Sequence, residues 1–241
     1  MNRTRISAGL TVSRRAAWGG CAALLVGAFM FGSVSQAAGM QAGPPPGQRG
    51  AEGGRRERPA PKPFPLTLTI TDGTNASYRV REQLVGIKFP SDAVGTSTAV
   101  SGMIVFDKDG SIDAGKSKLE FDLRTLKSDQ PMRDGFIQGR TLDTEQYPMA
   151  VFVPKTITGM PNPLTGQFGF ELSGDMTIHG TTAPLTWQGI ATVDNRSGLV
   201  AGRAETNFKF ETFAMSPPKI FRVMSVADSI TLELEFRSKF N

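Results

Sequence analysis

The chain carries one histidine, His179, and one cysteine, Cys21. Single copies are too few for a disulfide, a cysteine-ligated zinc or iron–sulfur site, or a multi-histidine metal centre. His179 follows Asp175-Met176-Thr177-Ile178 and precedes Gly180, which places it in a turn after a strand. General-base work there needs a nucleophile and an orienting group, and the neighbouring residues offer neither. A turn histidine bonded to backbone is the expected reading. Asp107, Asp109 and Asp113 resemble part of a calcium loop. However, Gly110 comes too early for the sharp turn, and Lys118 stands where a bidentate glutamate is needed, so a plain hairpin turn is expected. Asn75-Ala76-Ser77 and Asn195-Arg196-Ser197 are glycosylation sequons by spelling only. Asp122, Arg124, Arg133, Asp134, Tyr147 and Glu211 remain as acid–base candidates, and their spacing announces no pair.

The elements that must position these residues are strands. From Phe64 onward apolar residues recur at every second position: Leu66/Leu68/Ile70, Tyr78/Val80, Leu119/Phe121/Leu123, Phe168/Phe170/Leu172, Phe208/Phe210 and Ile230 through Phe236. That period puts one face on an apolar interior and the other in water. Asp109-Gly110, Ser173-Gly174, His179-Gly180 and Ser197-Gly198 punctuate the runs at turn or bulge positions. Pro148, Pro154 and Pro184 are expected near strand starts or on edges. Only the stretch 128–138 breaks the pattern. Its early Pro131 and its apolar Met132, Phe136 and Ile137 suit a short helix laid on the sheet, with Asp129 near the positive end. The reading is all-β: one antiparallel barrel over 64–241, of roughly eight to ten strands with one short helix. A barrel of about that size either fills with its own side chains or holds one small ligand, and composition leaves both open.

The net charge of +5 is unevenly spread. Residues 1–37 hold Arg3, Arg5, Arg14 and Arg15 and no acid, and residues 38–63 are also basic. The remaining body has 18 basic against 20 acidic residues, so it lacks the cationic face that nucleic-acid binding requires. Residues 1–37 read as a cleaved signal peptide, with an apolar run over 16–34 and small residues at Ser35 and Ala37. An uncleaved anchor is the rival reading. Arg14-Arg15 hints at twin-Arg export, but Ala16-Ala17 fits that motif poorly, which favours Sec. Cys21 lies inside the leader, so the mature chain has no cysteine. Residues 38–63, rich in Gly and Pro, have no apolar period and read as a disordered linker. Its basic residues could touch anionic lipid or cell wall transiently, but a solvated spacer is the favoured reading.

Three blocks in order resemble the YceI-like family. Leu119-Glu-Phe-Asp-Leu-Arg-Thr-Leu126, Met132-Arg-Asp-Gly-Phe-Ile137 and Tyr147-Pro-Met-Ala-Val-Phe152 form the first; Leu172 through Gly180 with Thr182, Pro184 and Leu185 the second; Asp228 through Phe236 the third. The resemblance covers about residues 76–236. It implies an extended, lipocalin-like antiparallel barrel of about eight strands, exported to the periplasm. It also implies a non-catalytic carrier holding a polyisoprenoid, an isoprenoid quinone or a fatty amide in a central tunnel, with no other cofactor. The expected lining residues are Phe121, Leu123, Leu126, Phe136, Phe152, Phe170, Trp187, Phe210, Phe213 and Phe221. The chain departs from the family where Phe136 replaces a common histidine, and at Gly139–Asp143 and Phe210–Ala214, where polar positions have become apolar or neutral. Head-group contacts should differ accordingly, while tail contacts should not. A non-catalytic interaction module with a filled barrel and an enzyme acting on the same lipid are the competing classes, and a homodimer is a further expectation.

Overall fold

The computed structural model describes residues 60–219 and 223–241. The expected leader, the linker up to residue 59, and Phe221 lie outside the described residues. The strands are β1 (Leu66–Ile70), β2 (Asn75–Leu84), β3 (Ser91–Ser97), β4 (Val100–Phe106), β5 (Lys118–Asp122), β6 (Lys127–Ser128), β7 (Met149–Thr158), β8 (Gln167–Ile178), β9 (Thr181–Asp194), β10 (Leu199–Phe208) and β11 (Val223–Phe240); the helix α1 is Pro131–Phe136. All pairings are antiparallel, in the order β1-β4-β5-β7-β8-β9-β10-β11, and β11 pairs again with β1 to close an eight-membered ring.

The surplus over eight strands comes from broken staves. Beside β11, β2 continues where β1 stops: Leu68–Ile70 pair with Phe240–Ser238, and Asn75 through Leu84 pair with Glu235 through Val223. In the same way β3 and β4 form one bent stave, and β5 and β6 another around the helical turn Leu123–Thr125. Side chains replace the ladder at these breaks. Buried Thr74 donates its hydroxyl to the Thr71 carbonyl (3.0 Å) and accepts the Arg237 N–H (3.0 Å). Asp122 caps the helical turn by accepting the Arg124 N–H at 3.0 Å.

The inward positions alternate as the sequence requires, with Leu172, Met176 and Ile178 buried on β8 and Val200, Ala204, Thr206 and Phe208 on β10. His179 and Gly180 form the two-residue loop between paired Ile178 and Thr181, and both have positive φ (+51° and +73°), the geometry of a primed hairpin turn. Pro184 lies on a part of β9 that extends beyond its pairing with β10, so its missing N–H meets no ladder there. One local expectation fails. Pro154 is buried in the middle of β7, at a register shift, rather than at a strand start or edge. The bulge absorbs its missing donor. Ser173-Gly174 faces that bulge from within β8, one of its two expected settings, and a Cβ at Gly174 would meet the Val153 carbonyl oxygen at 2.2 Å.

The helix is also shorter than expected. It starts after Gln130, which offers no side-chain cap, and continues into a wider turn over Ile137–Thr141. The Asp134 carboxylate reaches back to the Ser128 N–H (2.8 Å) and hydroxyl (2.6 Å). Met132 does not pack on the barrel: it is 90% exposed, because this short helix turns Arg133 inward instead.

Gly135 has open space where a Cβ would stand, and its φ is not positive. Gly135→Ala should therefore stabilise the chain by about 0.5–1 kcal/mol, whereas Gly174→Ala should cost about 1–3 kcal/mol by overpacking the bulge. Urea denaturation of both variants against the parent checks the opposite signs.

Candidate functional site

The barrel interior is not filled. Two chambers lie end to end, of about 150 Å³ and about 70 Å³. Phe121 of β5 and Trp187 of β9 belong to the walls of both, and so form a waist between them. The smaller chamber sits in the closed ring, among side chains of β1, β4, β8 and β11 such as Leu68, Ile104, Phe168 and Phe236. The larger one extends to the end where β2, β3 and β6 continue past the ring, and there it is bounded by Phe136 of α1, Pro218 and Val226.

Eight of the expected residues line these chambers. Leu123, Leu126, Phe136 and Phe210 face the larger one, Phe152 and Phe170 the smaller, and Phe121 and Trp187 both. Phe152 supports the waist from behind, its ring edge-on to Trp187 at 6.2 Å. Phe213 lies in neither wall. The helical turn Phe210–Phe213 carries it behind Phe208, with ring centroids 4.8 Å apart, and it is fully buried. Phe208 lines the larger chamber in its place, beside Met176, Tyr78 and Leu232, which sequence reasoning passed over. Their strand parity was visible; which inward side chains border a gap was not.

The larger chamber has one polar end. Arg133 of α1 donates from Nη2 to Glu82 Oε1 of β2 at 2.8 Å, with both side chains largely buried, and it also pairs with Asp129. Tyr78 stands beside this pair and fits over Gly95, where a Cβ would come within 2.2 Å of its ring. Burial pushes the Tyr78 phenol up to about 12; Arg133 works against that rise, and Asp134, Glu82 and Asp129 add to it.

The acid–base candidates do not converge. Asp122 lines the larger chamber but is held by Arg124 at 2.7 Å, Glu211 pairs with Lys209 at the surface, and Asp134 is taken by Ser128. Hydrogen bonds from the Arg124 guanidinium and N–H hold the Asp122 carboxyl below the usual carboxylate range. His179 departs from expectation. Its buried Nδ1 has no hydrogen-bond partner among the described residues, and the ring packs edge-on against Tyr147 at 5.1 Å. In the loop around Asp107–Asp113, Asp109 accepts from Ser111 and Asp113 from Lys116, the contacts of a hairpin turn. Among the described residues no group of three or more His, Cys, Asp or Glu is placed to hold a metal ion.

Comparison with family profiles matches residues 70–238 to the YceI-like domain. UPF0312 proteins from strains of Pseudomonas putida are 31% identical over 140 residues, which are 54% of this chain and 67% of theirs. A polyisoprenoid binding domain from Saccharophagus degradans, implicated in plant cell wall breakdown, shares the fold. Its TM-score is 0.54 at 9% identity, covering 73% of this chain and 99% of that one. BcnA of Burkholderia cenocepacia gives a TM-score of 0.48 at 17% identity, covering 68% and 95%.

The polar end of the larger chamber sets two measurable expectations. Arg133→Leu strands the Glu82 carboxylate among apolar walls and should cost about 3–5 kcal/mol, while the double variant Glu82→Leu/Arg133→Leu should recover most of that loss. A denaturation cycle over the four proteins reads the coupling. Of the two tyrosines, Tyr78 should release its proton near 12, and phenolate absorbance of the parent against Tyr78→Phe reports that step. Since the folded value lies above the unfolded one, near 10, this phenol's contribution is complete below about pH 10 and is lost as pH rises towards 12.

Proposed function

Because this chain belongs to the YceI-like family, we propose that its barrel is a periplasmic carrier that holds one long apolar lipid across both chambers. The observation that carries this reading is the pair of apolar cavities meeting at Phe121 and Trp187 inside a closed ring. A compact guest would need one round cavity; two chambers in line favour a narrow chain that threads the waist. The polyisoprenoid named for the fold-mate from Saccharophagus degradans has that shape.

Removing one methylene from water is worth about 0.8 kcal/mol, so a five-carbon isoprene unit contributes about 3–4 kcal/mol. Such a tail needs few polar anchors. In a bilayer, however, the chain is already out of water, so transfer from membrane to barrel has a small net free energy. That balance suits reversible shuttling. The polar end refines the guest further. Arg133 is the one cation among the described residues of the larger chamber's wall, and Glu82 and Asp129 already neutralise it. An anionic head would meet no uncompensated positive charge there, so the favoured guest carries a neutral hydroxyl, carbonyl or amide near Tyr78.

The test is to export the protein with its own leader, purify it without detergent, extract it with organic solvent and identify the extract by mass spectrometry. A stoichiometric prenyl quinone, polyprenol or fatty amide is the expected result. Phe121→Asp and Phe210→Asp should each lose the lipid while keeping β circular dichroism. Folded protein that stays empty after incubation with a panel of such lipids would overturn the reading in favour of an interaction module.

A further inference from the structure

Large apolar side chains that stand exposed are not scattered over this barrel. Among the described residues there are seven, and Val85, Ile87, Phe89, Met132 and Met224 share one end; Met103 and Ile190 are on outer walls elsewhere. Val85, Ile87 and Phe89 project from the turn joining β2 to β3, where Gly86 has φ of +79° and Ile87 N–H meets the Leu84 carbonyl at 3.3 Å. Met224 is the bulged residue of β11 between the pairs Val223–Leu84 and Ser225–Gln83, so it lies against the base of that turn. Met132 precedes Arg133, whose guanidinium reaches Glu82 just below the same turn. Three separate elements thus bring apolar tips to one rim. Phe89 is 75%, Met132 90% and Met224 68% exposed, a standing cost in water unless a partner covers them.

The rim bounds the larger chamber at its polar end, the end formed by Glu82, Arg133, Phe136 and Val226. At the tip of the rim the charge is basic, because Lys88 stands exposed between Ile87 and Phe89, and that favours a lipid surface carrying phosphates. Behind it the carboxylates are taken up, Asp92 and Glu233 by Arg79 and Arg81, and Glu82 and Asp129 by Arg133. Apolar tips on either side of a lysine are the pattern of a protein that lies on a bilayer, with the tips in the acyl boundary and the ammonium group at the phosphates. Among the described residues no helix is long and apolar enough to cross a membrane.

We propose that this end of the barrel is a membrane-docking rim, in which Val85, Ile87, Phe89, Met132 and Met224 enter the lipid interface and set the end of the larger chamber against the bilayer. The rim extends the carrier reading, since a guest that leaves a membrane would then reach the chamber without crossing water. Its test needs no guest. Phe89→Trp and, on an outer wall, Ile190→Trp are each compared with the parent chain on phosphatidylcholine vesicles whose acyl chains are brominated, with and without phosphatidylglycerol. Bromine should quench the added fluorescence at 89 several-fold and leave that at 190 unchanged. Val85→Ser/Ile87→Ser/Phe89→Ser should lower the vesicle-bound fraction about tenfold with β circular dichroism intact. Equal quenching at both positions, or none at 89, would overturn the proposal. So would a dimer in vesicle-free sedimentation that the triple substitution abolishes, which would assign the rim to a second copy. A chain that docks but carries no lipid would overturn only the carrier reading, and a chain that carries lipid without docking only the rim.

Discussion

A short ladder between β1 and β11, pairing Leu68–Ile70 with Phe240–Ser238, closes the sheet on itself. Without it β1 and the Ser238–Phe240 end of β11 would be free edges, with unpaired N–H and C=O groups open to any other strand. Closure forces every inward side chain of eight staves to share one interior, and it forces the staves to bend. The first three staves bend by breaking, and Thr74 and Asp122 supply hydrogen bonds where the ladder stops. Because of those breaks, β2, β3 and β6 lean away from the ring and the interior lengthens into a second chamber.

The interior is therefore built from two regimes. Inside the ring the walls are aliphatic and aromatic, and the space left over is small. Beyond the waist of Phe121 and Trp187 the cavity widens, and one charged pair, Glu82 with Arg133, is carried into its wall by β2 and α1. A buried pair of this kind contributes little net stability compared with apolar residues of similar size, although losing either partner is costly. It does fix where α1 sits, and it leaves the chamber end polar with no unpaired positive charge.

The same arrangement explains why the acid–base candidates remain apart. Asp122 and Asp134 are spent on capping a helical turn and on tying the start of α1 to β6. His179 is spent on a hairpin turn packed under Tyr147. Asp122 and Asp134 thus answer local backbone needs created by a bend or a turn. Away from the Glu82–Arg133 end and the Trp187 indole, the lumen is left mostly to side chains that need no partner.

Much of this was legible from residues alone. Period-two alternation from Phe64 onward identified β1, β2, β5, β8 and β11 with their inward faces, the glycine-marked turns located the β4–β5, β8–β9 and β9–β10 hairpins, and eight of the named aromatic and aliphatic residues do border the cavities. These are local properties: side-chain direction along a strand depends on parity, and a tight turn depends on its own φ angles. Other features depend on residues far apart in the chain. Pro154 is tolerated mid-strand because Gly174 faces a bulge, Phe213 is displaced from the wall by Phe208, and Arg133 turns inward because Glu82 lies across from it. By itself the sequence determined an antiparallel barrel with an apolar interior, because alternation fixes which face of each strand avoids water. Only the tertiary structure decided that the interior stays hollow, where its waist and polar end fall, and that five apolar tips share one rim. Voids and rims are set by how staves distant in sequence bend past one another, and a local pattern carries no record of that.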